Sequence, residues 1–146
     1  MASHDRLRGA GVMPHWKIDN HISSTTNPHA VTIAQTYTAD TWHSVGADGE
    51  PAFANSWVNY DASHPAKFFK DALGFVHLIG WIKSGTVGSA AFTLPLGYRP
   101  PQDAIFPVDS YAAYGRVRIY TDGTVVPVTP SGNTLVCLDL PAFPAA

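Results

Sequence analysis

One stretch constrains this chain more than any other: Phe75-Val-His-Leu-Ile-Gly-Trp-Ile-Lys83. At period two, one face presents Val76, Leu78, Gly80 and Ile82. The other presents Phe75, His77, Ile79, Trp81 and Lys83. Neither face is polar. A strand with two apolar faces is covered on both sides, by a second sheet or by another chain. Gly85 and Gly88 then bracket a turn, and residues 89–94 follow as the partner strand.

The remaining sequence agrees with a β-rich chain. Glu, Lys, Gln and Met, the long straight-chain helix formers, total only 9 of 146 residues, against 31 Val, Ile and Thr. β-Branched side chains suit a pleated, half-buried surface, and the 12 Gly and 12 Pro punctuate turns. The 19 alanines are scattered without a helical period. A hairpin is predicted at 115–126, where Val117 and Ile119 point one way and Arg116, Arg118 and Tyr120 the other. Asp122-Gly123 at its tip predicts a type I′ turn, with Gly supplying positive φ. A last strand runs over 134–140, with Val136, Leu138 and Leu140 facing the core and Leu135, Cys137 and Asp139 facing away. Shorter strands are expected at 41–45, 56–60, 66–71 and 104–108. About eight strands at short spacing make an antiparallel β-sandwich or jelly roll.

Residues 1–38 differ. They hold one long apolar aromatic, Trp16, and no sustained alternation, so alone they bury too little to offset the entropy of ordering. They are expected to form an extended N-terminal segment before a β-sandwich domain at 39–146. The first residues lack an apolar core region, so no secretory signal is read there. No apolar run reaches the ~18 residues of a membrane helix. With charged residues at 14% and a net charge of -2, nothing favours nucleic acid or an anionic membrane as partner. Cys137 is the single cysteine, which excludes an intrachain disulfide.

Enzyme signatures are missing. Glu50 is the only glutamate, so a carboxylate pair would have to draw on scattered Asp residues. There is no G-x-S-x-G elbow, and Gly9-Ala-Gly11 lacks the third glycine of a dinucleotide loop. The seven histidines lie at least six apart, wider than the usual two to four of a local metal pair. No catalytic residue, metal or cofactor is therefore assigned. His77 is read as a hydrogen-bonded buried histidine. Aromatic rings in turn-rich segments stand out: Trp42, Trp57, Tyr60, Tyr98, Tyr111, Tyr114 and Tyr120. Such rings pack cores, or stack on sugars and dock proteins. Arg99, Arg116 and Arg118 either donate to a ligand or pin loops to backbone carbonyls.

Two stretches carry a family resemblance. Asn27-Pro28-His29-Ala-Val31-Thr32-Ile-Ala-Gln35 resembles the N-P-H-x-V-T-x-x-Q repeat of bacteriophage tail fibres. It occurs once and runs into Thr36-Tyr37-Thr38 rather than the common Gly-Leu, as a short neck would. Farther on come Trp57-Val-Asn-Tyr60, the segment from Lys70-Asp71 through Gly80, Leu94-Pro95-Leu-Gly97-Tyr98-Arg99-Pro100, and Ile119-Tyr-Thr-Asp122-Gly123-Thr-Val125. In this order they resemble the C-terminal head of phage tail and receptor-binding proteins. The resemblance implies a homotrimeric β-sandwich head on the virion, made in the host cytoplasm, attaching without catalysis to a host-surface polysaccharide or glycan. It also implies contact with other virion proteins through the N-terminal segment. Trp42, Tyr98, Arg99, Tyr111 and Tyr114 are the expected ligand contacts. Phe75, His77, Ile79 and Trp81 are the expected subunit interface. The alternative is a structural fibre, decoration or tail-tip protein that binds only virion partners.

Overall fold

The structure, a computed structural model, describes residues 40–146. The expectations for residues 1–38 lie outside the described residues. The described chain is all-β. Its strands are β1 (His43–Ser44), β2 (Val58–Asn59), β3 (Lys67–Lys70), β4 (Phe75–Ile79), β5 (Trp81–Lys83), β6 (Phe92–Thr93), β7 (Ala104–Asp109), β8 (Tyr114–Ile119), β9 (Thr124–Val128), β10 (Val136–Cys137) and β11 (Phe143–Pro144). Three antiparallel sheets pack together as a sandwich, in the orders β1-β3-β4-β11, β10-β5-β2 and β6-β9-β8-β7. The buried face of each contributes to one core: Phe68, Val76 and Leu78 from the first, Ile82 and Val136 from the second, Phe92, Val117, Ile119 and Val125 from the third.

The expected long strand at 75–83 is instead two strands in two sheets. The break is Gly80, at φ +108°, where a Cβ would collide with the backbone of Pro65 and Ala66. Alternation nevertheless continues across the break, so Val76, Leu78 and Ile82 are all buried as expected. The C-terminal segment runs antiparallel to both halves. Cys137 pairs with Trp81, the Leu138 amide donates to the Gly80 carbonyl (2.7 Å), and Phe143 pairs with Val76. This segment, with β3 and β2, partners the strand. Residues 89–94 do not: only Phe92–Thr93 is strand, and it pairs with β9 in the third sheet. The connection is too long and too committed for a tight hairpin. The amides of Gly88 and Ala91 bond to the Pro127 and Val125 carbonyls, which ties this segment to β9.

The β8–β9 hairpin forms with the expected faces, but its turn differs. Three residues, Thr121 to Gly123, span the loop. The Tyr120 amide donates to the Thr124 carbonyl (3.0 Å), and the Gly123 amide to the Tyr120 carbonyl (2.9 Å). Only Gly123 has positive φ, +88°, so this is a type I turn closed by a glycine bulge rather than a type I′ turn. The two-residue turn lies at the β7–β8 tip, where Tyr111 (φ +56°) and Ala112 (φ +59°) take the conformation that Asn-Gly normally supplies.

Candidate functional site

The outer face of the first sheet carries the site. Phe68 and Phe69 are consecutive in β3, so one ring must point to each side. Phe68 enters the core, and Phe69 remains on the surface, paired in register with His77 of β4. Just before β1, Trp42 stands beside Phe69. Trp42 and Phe69 are tilted at 59° with centroids 4.4 Å apart, and Phe69 stacks on His77 at 4.6 Å and 13°. The result is a row of three rings running from the segment before β1 across β3 to β4. Trp42 is 47% exposed, and along β4 the row is flanked by Phe75 at 40% and Ile79 at 38%.

Asp71 fixes the polar end of this row. It opens the β3–β4 connection, where its Oδ1 accepts the amides of Leu73 and Phe75, both at 2.9 Å. Its Oδ2 accepts from His77 Nε2 at 2.9 Å. The His77 bond, then the Phe75 and Leu73 amides, hold the carboxyl below its ordinary range despite some burial. An ionised carboxylate only accepts, so in the neutral imidazole the proton resides on Nε2 and Nδ1 presents its lone pair. His77 is thus hydrogen-bonded as expected but not buried, since its side chain is 36% exposed. The two halves of one turn position the carboxylate, and the strand pairing positions the imidazole.

A second polar cluster lies at the edge of the same sheet. His43 faces inward, stacked on Phe68 at 5.1 Å. Its Nδ1 donates to Glu50 (2.8 Å) and its Nε2 to Asp40 (3.0 Å), a double donation that requires imidazolium. The Glu50 bond is the main reason its pKa is raised. Burial works to raise the Asp40 pKa, but the Tyr98 hydroxyl (2.6 Å), the Lys70 amide, His43 and the Thr41 amide pull it down to about 2. The same burial and the same Asp40 bond push the Tyr98 phenol up to about 12. Lys70 completes the enclosure, donating to the Gly97 carbonyl and lying 5.2 Å above the Tyr98 ring. Tyr98 and the Gly97 carbonyl are bonded to Asp40 and Lys70, so the cluster clamps the 94–101 loop onto the segment before β1 and onto β3.

The five residues expected to contact ligand are therefore distributed over three places. Trp42 belongs to the ring row. Tyr98 is committed to the clamp, and Arg99 Nε donates to the Leu94 carbonyl at 2.9 Å, the loop-pinning role. Tyr111 and Tyr114 are 63% and 58% exposed at the β7–β8 tip. Arg116 bonds the Thr129 carbonyl, and Arg118 pairs with Asp103 at 2.8 Å. Trp57 is core, packed directly on Gly85. Of the expected interface residues, Phe75, His77 and Ile79 share the outer face with Trp42. Trp81 lies in the second sheet, its ring covered by His64 at 3.7 Å and edged by Tyr60. Sequence reasoning missed Phe69 and Asp71 as site members and the Asp40–His43–Glu50–Tyr98 clamp. The paired Phe68-Phe69 was the available signal for the first. Among the described residues no group of three His, Cys, Asp or Glu is placed to hold a metal ion.

The molecule is thus an all-β sandwich with an aromatic platform and a fixed Asp–His pair on one sheet face. That fold resembles the receptor binding protein (gp15) of Listeria phage PSA, whose crystal structure aligns with a TM-score of 0.57 at 14% identity, over 92% of this chain and 98% of that one. At this identity the likeness shows a shared fold. No protein-family profile matches the sequence, and no curated protein does.

Proposed function

We propose that this protein is the receptor-binding head of a bacteriophage virion, a homotrimer that holds a host-surface polysaccharide or glycan on the outer face of the first sheet and does no chemistry on it. The observation that carries the reading is the Trp42–Phe69–His77 row with Asp71 at its end. Flat apolar rings beside fixed hydrogen-bonding groups match the alternating C–H and O–H surfaces of a sugar. The fold likeness to a phage receptor binding protein supports it. Residues 1–38 attach the head to other virion proteins on the same reading.

The outer face cannot serve both roles that its residues suggested. A contact sealed through Phe75 and Ile79 would also cover His77, which lies between them on β4. The face is assigned to the receptor because Phe69 of the same chain already stacks on His77, with Trp42 half-exposed beside them. The subunit contact accordingly lies elsewhere on the head. Three linked sites raise avidity through effective concentration, so a shallow platform suffices.

The test is binding of the purified chain to a panel of intact bacteria and to their extracted surface polysaccharides. Trp42→Ala is expected to lower binding at least tenfold, the equivalent of about 1.4 kcal/mol, with an unchanged melting curve. No new reducing ends should appear. A protein that ignores every cell and polysaccharide but binds other virion proteins is the structural fibre, decoration or tail-tip component.

A further inference from the structure

The aromatic row leaves one polar atom uncommitted. Nε2 of His77 is held by Asp71, while among the described residues nothing hydrogen-bonds to Nδ1, and Nδ1 is not among the buried unpartnered atoms. It therefore reaches solvent. One face of the imidazole is closed by Phe69, which holds the ring flat in the row. Asp71 accepts two amides and the imidazole, which fixes its carboxylate in place so that it orients His77.

Resting on the receptor-binding reading, we propose that Asp71 is a positioning residue that fixes the His77 tautomer, and that His77 Nδ1 is the hydrogen-bond acceptor of the site. The ligand class follows from that polarity. A lone pair next to a carboxylate takes a hydrogen-bond donor and repels phosphate and carboxylate oxygens. The ligand is a neutral pyranose that lays its C–H face on Phe69 and Trp42 and donates a hydroxyl to Nδ1. Anionic polymers such as polyol phosphates are disfavoured. Lys67, opposite Ile79 in the register, is the lysine among the described residues of this face that would favour them.

Asp71→Asn tests the proposal with little cost to the fold. The amide oxygen can still accept from Leu73 and Phe75, but an NH2 replaces the oxygen facing Nε2. That nitrogen only donates, so Nε2 becomes the acceptor and the ring proton moves to Nδ1. In 15N-labelled protein at pH 8, the His77 ring shifts are expected to change from the Nε2–H to the Nδ1–H pattern. Binding to neutral polysaccharides and to methyl glycosides of glucose, galactose, rhamnose and N-acetylglucosamine is expected to fall at least tenfold. The melting temperature and mass should hold. A tautomer that switches with binding intact overturns the proposal while leaving the receptor reading standing, provided Trp42→Ala still loses binding. An unswitched ring overturns it as well, as does a wild-type preference for a glycerol-phosphate polymer over every neutral probe. A wild-type chain that binds no cell and no probe overturns the receptor reading itself, and the proposal with it.

Discussion

At the scale of single residues, the Asp40–His43–Glu50–Tyr98 clamp decides how the head responds to pH. His43 has a folded-state pKa above its ordinary 6.5. Its contribution is complete below 6.5 and is lost as pH rises through the raised folded value. Asp40 is the opposite case. Its contribution is present above the ordinary 3.8 and is lost as pH falls toward about 2. Melting temperature against pH should therefore be highest between about 4 and 6.5, falling on both sides, and His43→Gln should flatten the alkaline limb. Tyr98→Phe removes the hydroxyl from a half-buried carboxylate. It should cost about 1–3 kcal/mol in chemical denaturation, with glycan binding by the Trp42 row retained. None of this was legible in the sequence. The four residues span positions 40 to 98 with no motif spacing, and only the packing of the 94–101 loop on β1 brings them together. The Arg99 ambiguity was resolved by the same packing, in favour of the backbone carbonyl.

At the scale of elements, strand positions were readable and strand partners were not. Alternation marked the buried sides of β4, β5, β8 and β10 correctly, because a period of two survives any pairing. Pairing is set by non-local contacts. Nothing local in residues 89–94 says that their partner is β9, or that 136–144 runs beside 75–83. Gly80 was counted as one residue of a face, but it is the point where the chain changes sheets. Two glycines make this scale testable. Gly85→Ala would put a methyl group inside the Trp57 indole, so it should destabilise by at least about 3 kcal/mol or prevent folding. At the β7–β8 tip the sign reverses. Ala112 pays the left-handed penalty of about 1–2 kcal/mol, so Ala112→Gly should stabilise by roughly 0.5–1 kcal/mol after the entropy of glycine is deducted. Denaturant midpoints of the two variants should move in opposite directions.

At the scale of the whole molecule, the charge-poor, β-branched composition indicated an all-β sandwich, which the three packed antiparallel sheets are, and the ordered segments of the resemblance pointed to a phage head, whose fold the likeness to a phage receptor binding protein supports. What composition could not supply was the use of the outer sheet face. From the sequence, Phe75 to Trp81 asked for a partner chain. In three dimensions Phe69 stacks on His77 and His64 on Trp81, Phe75 and Ile79 stay exposed, and Trp42 lies beside Phe69 on the same face. On this account light scattering should give a mass near three chains at low and high concentration. Ile79→Lys should leave that mass unchanged, whereas a shift to monomer would move the subunit contact onto this face. The most direct test of the central claim is to follow the tryptophan indole signals of labelled protein as a bound host polysaccharide is titrated in. The Trp42 indole and the Phe69 and His77 ring signals are expected to move together while the buried Trp57 indole stays fixed. Movement confined to Tyr111 and Tyr114 at the β7–β8 tip, with the Trp42 row unmoved, would contradict the account.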